Sequence, residues 1–303
     1  MPLPPRALLA IAFTVTLWGS AFPAIRAILG DFPPGELALL RYLIAALVLT
    51  ALALRVRPPA PRRTDLGRLL LVGALGICLY NLAINFGQRT VPAGPASFIV
   101  NTAPVLSALF AWAALGERLR PAGWLGMLVC LGGIGLIAAA ESHGLRLSGG
   151  VACLGAAALL WAAYNVLHKP LLATYGALGV VTYAVWGGTL LLLPWAPSAL
   201  AHAMQAPPRA LALVAYLAIG PSALAYLTWS YALAQAPVTR VIPFLYAVPL
   251  VALAVGWVAL GERPGPLSLG GGALIIAGLV LVNRWGRPRP VPVPVPPPPA
   301  EPS

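Results

Sequence analysis

Apolar residues gather along the chain into ten runs, 7–29, 36–54, 66–87, 92–115, 122–140, 149–168, 176–193, 210–234, 238–260 and 267–283, parted by Pro, Gly and clustered charge. A helix rising 1.5 Å per residue needs about 20 such residues to cross a bilayer. The pattern therefore predicts an all-α, polytopic membrane protein with ten transmembrane helices. Arg6 precedes an apolar stretch from Ala7 to Leu29 that is longer than a signal-peptide core and lacks a small-residue cleavage site, so it is expected to remain as the first span. Arg41 falls in the first turns of the second run and is expected to snorkel to the nearby interface.

Composition supports bilayer rather than water as the solvent. Of 303 residues, 60% are hydrophobic and 9% charged, and the seven acids fall at or between the ends of the apolar runs. A net charge of +12 without a soluble domain carrying a basic face argues against a nucleic-acid partner; the cations read as topogenic charges flanking the spans. A ten-span path divides the 19 Lys and Arg 13 to 6 in favour of the side holding both termini. The positive-inside bias then predicts a multi-pass protein of the cell inner membrane with cytoplasmic termini. Cys78, Cys130 and Cys153 stand alone in apolar runs and read as packing residues. The tail 288–303 is too rich in Pro for a helix and is expected to be an extended polyproline-type cytoplasmic segment.

The chain repeats itself. At a constant offset of 145, Pro92 meets Pro237, Pro104 meets Pro249 and Trp112 meets Trp257. The run Ala114-Leu115-Gly116-Glu117-Arg118 meets Ala259-Leu260-Gly261-Glu262-Arg263, and Gly126 and Gly133 meet Gly271 and Gly278. At a slightly smaller offset Trp18 falls opposite Trp161 and Arg26 opposite Lys169. A duplicated unit of five spans, 7–140 and 149–283, must insert its second copy upside down, the inverted-repeat plan of secondary transporters. The two Gly-Glu-Arg loops are then expected on opposite sides of the membrane.

Trp18-Gly19-Ser20 in the first span, Arg41 in the second, and the hairpins Leu115-Gly116-Glu117-Arg118 and Leu260-Gly261-Glu262-Arg263 together resemble the EamA family of the drug/metabolite transporter superfamily, over roughly residues 7–283. The resemblance implies two EamA-like five-helix repeats, cytoplasmic termini, and export of amino acids, related metabolites or drugs. It also implies a central cavity formed mainly by spans one, three, four, six, eight and nine.

Polar residues at depth must face another helix or a wet cavity. They concentrate in the same six spans: Ser20; Asn81 and Asn85; Asn101 and Thr102; Tyr164 and Asn165; Tyr226 and Ser230; and Tyr246. Spans five and ten carry Gly-rich apolar stretches suited to tight packing instead. Trp18 and Trp161 lie at mid-span, away from the interface that Trp favours. Phe22 shares a helix face with Trp18, as Tyr164 and Asn165 do with Trp161. These residues are candidate substrate contacts, the rings for an apolar side chain and the amides for a polar end; a helix-packing hydrogen bond is the alternative for each asparagine. Pro104 and Pro249, at mid-span in repeat-related helices, are candidate hinges.

No phosphate-cradling loop, metal-binding His pair or paired carboxylate occurs in the chain, and His143, His168 and His202 are isolated; no enzyme activity, metal or cofactor is expected. No acid lies within a span away from its ends, so the cavity suits a neutral or zwitterionic molecule. The expected function is secondary transport, as an exporter of small metabolites such as amino acids by alternating access. A glycolipid flippase, a multidrug efflux protein, a membrane enzyme and a structural subunit are the competing readings. The expected partners are a small-molecule substrate and the lipid bilayer.

Overall fold

The structure is a computed structural model that describes residues 3–91, 93–141, 148–251, 254–255 and 265–286. Pro92, Trp257, the second Gly-Glu-Arg loop, His143 and the Pro-rich tail fall outside these residues. The described chain is helical throughout: α1 (Pro5–Ile28), α2 (Pro34–Val56), α3 (Arg63–Thr90), α4 in two pieces (Ala93–Val100 and Ala103–Leu115), α5 (Pro121–Glu141), α6 (Gly149–His168), α7 (Leu172–Leu192), α8 (Pro208–Gln235), α9 (Val238–Val251) and α10 (Pro266–Trp285). Among the described residues seven helical stretches are long and apolar enough to cross a membrane, one of them the bent stretch Gly149–Gln205; Pro121–Ile137 and Val238–Val251 are shorter apolar helices.

Side chains are sorted as in a protein solvated by lipid. Leu9, Leu47 and Leu54, each over 70% exposed, point outward, while Thr14, Asn81, Asn85, Asn165, Thr182 and Ser230 are buried. Water is not available in hydrocarbon to satisfy such groups, so they turn inward, and Thr14, Asn81, Asn85, Asn165 and Ser230 find partners on other helices.

The two Gly-rich helices, α5 and α10, pack against each other antiparallel. A Cβ added at Gly133 would sit 2.5 Å from the Gly271 carbonyl oxygen, and one at Gly271 would sit 2.5 Å from that of Gly133. Seven residues, or about two turns, further along, Gly126 and Gly278 meet in the same reciprocal way, at 2.8 and 2.6 Å. Between these two contacts the Cys130 thiol donates to the Ile275 carbonyl at 3.4 Å. Only glycine permits backbones so close.

Cations finish two other helices. Arg26 at the end of α1 donates through Nη1 to the Gln88 carbonyl near the end of α3. At the opposite end of the bundle Lys169, just past α6, donates to the carbonyls of Leu233 and Ala236 at the end of α8. Both satisfy orphan carbonyls at the negative pole of a helix. On the Lys169 side Tyr175 donates to Asp65 at 2.6 Å and Glu117 caps the start of α9, accepting from the N–H groups of Val238 (3.0 Å) and Thr239 (2.8 Å). Gly116 closes α4 with φ 68, a left-handed residue that glycine adopts without strain. On the Arg26 side the short helix Ala196–Gln205 is tied to α2 by His202 and Glu36, 2.7 Å apart.

Candidate functional site

Two helices of the bundle interior carry a π-helical segment, Ala74–Leu79 in α3 and Ala218–Leu224 in α8. In the first, the Tyr80 N–H reaches back five residues to the Leu75 carbonyl; in the second, the Ala225 N–H reaches the Gly220 carbonyl. The carbonyls of Gly76 and Pro221 thereby lose their α-helical donors, and each accepts an aromatic side chain instead. Tyr226 Oη donates to Gly76 O at 2.9 Å and Trp18 Nε1 donates to Pro221 O at 3.0 Å. Pro221 itself, lacking an N–H, accounts for the broken ladder in α8; π-segments of this kind are common at functional sites.

These bonds hold an aromatic cluster around a cavity. Trp18 meets Trp161 edge to face with ring centroids 5.2 Å apart, and Trp229 and Tyr226 at 5.5 and 5.6 Å. Trp161 in turn lies 4.8 Å from Tyr80 and stacks on Tyr164 at 5.0 Å. The cavity holds about 70 Å³ and is walled by Trp18, Ala21, Phe22 and Ile25 of α1, Tyr80, Asn81 and Ile84 of α3, and Val100, Asn101, Ala103 and Pro104 of α4. Trp161 of α6, Pro221 and Tyr226 of α8, and Leu245 and Val248 of α9 complete it, with Arg41 entering from α2. It is room for little more than a few waters, so a larger guest requires its walls to part.

Of the candidate contacts, Trp18, Phe22, Asn81, Asn101, Trp161, Tyr226 and Pro104 come together on this wall. The others are placed elsewhere. Ser20 hydrogen-bonds the Tyr216 hydroxyl, Asn85 donates to Pro34 O at 2.9 Å, and Thr102 donates to Ile99 O at 2.7 Å within its own helix. Asn165 stands one layer behind, accepting from Trp229 Nε1 at 2.8 Å. Tyr164 backs Trp161 and stacks on His168 at 4.7 Å, whose Nε2 lies 3.2 Å from Ser230 Oγ. Tyr246 is buried against Ala108 and Cys130, toward the α5–α10 seam. Pro104 opens the second piece of α4, directly after the break at Asn101-Thr102, and Pro249 likewise follows the tight 3₁₀ segment Ile242–Ala247 of α9. Both occupy the helix-start position that proline suits.

Arg41 departs from expectation. Its side chain does not reach the interface but is 97% buried, as 3% exposure shows, and its Nη2 donates to Ser222 Oγ in the π-segment of α8 at 3.0 Å. Sequence reasoning also passed over Tyr80 and Pro221. An arginine inside an apolar run was the available signal, since intramembrane cations are expensive and seldom idle. Among the described residues no group of three or more His, Cys, Asp and Glu is placed to hold a metal.

Buried polar groups, outward-facing leucines and an aromatic cavity between broken helices describe a polytopic membrane protein. The profile of the EamA-like transporter family matches residues 5–139 and again 148–284, and the chain belongs to that family. It is similar to a protein of Streptantibioticus cattleyicolor named a probable terminal-alkyne amino-acid exporter, 42% identical over 92% of this chain and 94% of the relative. A Salmonella typhimurium protein named a probable amino-acid metabolite efflux pump is 30% identical over 88% of this chain and 91% of its own length. A solved crystal structure at 23% identity superposes with a TM-score of 0.72, covering 91% of this chain and 96% of that one, a likeness of fold.

Proposed function

We propose that this protein is a secondary exporter of amino acids and closely related small zwitterions, working by alternating access through the cavity between α1, α3, α4, α6, α8 and α9. The observation that carries the reading is the cavity itself, with aromatic rings and two amides from five helices, α1, α3, α4, α6 and α8, and apolar Leu245 and Val248 of α9 around one space. Names of relatives that speak of amino-acid export point the same way.

Ten spans in two inverted five-helix repeats supply the moving parts in this proposal. The family profile matches once in each half. The π-segments support it, because Leu75–Tyr80 and Gly220–Ala225 form the same bonds at the same 145-residue offset. So do Arg26 and Lys169, which cap equivalent helices at opposite ends of the bundle. The reciprocal Gly133–Gly271 and Gly126–Gly278 contacts are interchanged by that offset, as a two-fold axis through Cys130 and Ile275 requires. Two halves that can trade conformations yield inward-open and outward-open states of equal architecture.

The deciding experiment is efflux from proteoliposomes loaded with labelled propargylglycine, phenylalanine or lysine. Release of the neutral amino acids well above that of protein-free liposomes is expected; release of all three no faster than from protein-free liposomes overturns the proposal. Accumulation is expected to follow the substrate gradient, because among the wall residues there is no carboxylate to carry a proton. Uphill accumulation driven by a pH difference at clamped potential would refute that part.

A further inference from the structure

Among the described wall residues Arg41 is the one cation, and its setting is unusual for a structural arginine. A guanidinium buried in a membrane protein normally has a carboxylate or several carbonyls around its five N–H groups. Here Nη2 bonds the Ser222 hydroxyl, while Nε and Nη1 are buried without a hydrogen-bond partner. The adjoining Tyr42 ring, 5.7 Å from Cζ, offers only its face. The buried acid of the same helix, Glu36, is taken by His202. Asp65 and Glu117 are engaged at the far end of the bundle, by Tyr175 and by the start of α9. The charge is therefore left facing the cavity, with free donors.

Resting on the amino-acid reading of the same site, we infer that Arg41 is the carboxylate anchor of the cavity, so that the transported molecules are carboxylates and not merely polar neutral compounds. A carboxylate fits because it supplies both the missing charge and two acceptor oxygens, and charge-assisted bonds in a water-poor site are the strong ones. The rings of Trp18, Phe22 and Trp161 lie along the same wall and would take the side chain, so the site should discriminate one end of its guest strictly and the other loosely. Ser222 holds the guanidinium in place through the π-segment of α8, linking occupancy of the anchor to a helix of the other half.

The test is titration of the purified full chain, followed through the fluorescence of its tryptophans, with phenylalanine, phenylalaninamide and 3-phenylpropionate. Phenylalanine and phenylpropionate should bind, and the amide at least about tenfold more weakly, the loss of one strong ionic contact. Arg41→Gln should lose that preference for carboxylates and Arg41→Lys should restore part of it, with both variants eluting and melting as the parent does. A residue that only ties α2 to α8 would alter melting without altering the preference. Equal binding of acid and amide by the parent, or an undiminished preference in a folded Arg41→Gln protein, overturns the inference. Binding of phenylpropionate together with no transport of any amino acid would keep the anchor and discard the amino-acid reading.

Discussion

The seam between α5 and α10 and the cavity between α1, α3, α6 and α8 are both built from helices, yet by opposite means. Along the seam, glycines bring two unbroken helices into backbone contact, and Met127, Cys130, Ile134 and Ile275 fill what remains with no exposure above 1%. Around the cavity the helices are interrupted, at two π-segments and at the break before Pro104, and large rings hold the walls apart. Small side chains make a close backbone interface; rings bonded to freed carbonyls make a looser one. In the proposed alternating access the first would stay fixed while the second rearranges.

The comparison presupposes that the two ends of the bundle face opposite sides of the membrane, and the test of that is all-or-none. A cysteine at Arg118, on the end crowded with cations, should be labelled only from the cytoplasm, and one at Met204, which is 81% exposed, only from outside. Labelling of both from one side would break the picture at its base.

Next in size is the seam. Gly133→Leu must drive a side chain into the Gly271 backbone, and overpacking of this kind costs about 2–3 kcal/mol; a much lower melting temperature and poor folded yield are expected. If the variant melts as the parent does, the seam is not rigid. Smaller is the loss at Glu117→Ala, which removes three hydrogen bonds to Val238 and Thr239 at the start of α9. About 1–2 kcal/mol of stability should go with that cap. Melting in detergent reads this directly, and no change would mean that solvent replaces the carboxylate.

The smallest effect on stability separates the two regions most sharply. Trp18→Phe keeps an aromatic ring, smaller than the indole, and deletes the donor to Pro221 O, a bond worth about 0.6 kcal/mol for an interhelical hydrogen bond in a membrane protein. Folded yield should be nearly unchanged while efflux falls several-fold, because the lost bond ties α1 to the π-segment that shapes the cavity. Full activity in this variant would make Trp18 a packing residue only.

The helical, membrane-crossing character of the chain, the burial of polar side chains and the fitness of the glycine-rich stretches for tight packing were legible in the sequence, because hydrophobic length, the cost of unsatisfied polarity in lipid and the small size of glycine act locally and repeat every turn; that the two glycine-rich helices pair with each other was not. Trp18, Phe22, Asn81, Asn101, Trp161 and Tyr226 were also legible as candidates, being polar or aromatic where apolar residues were due. Which of the candidates share a wall was not. Asn85 and Asn165 look identical to Asn81 in sequence, and all three are hydrogen-bonded inside the bundle, Asn81 to Tyr42 Oη and Ile77 O; only Asn81 also lines the cavity. Nor could an apolar pattern reveal the π-segments, since inserting one residue into a turn leaves composition and hydropathy unaltered. Arg41 shows the limit most clearly. Its charge and its place in an apolar run are sequence facts, compatible with reaching outward to the interface. Only the fold, by setting Ser222 of α8 within 3.0 Å and a cavity beside it, decided that the charge points inward, because that choice depends on which neighbour lies across a distance of 181 residues in the chain.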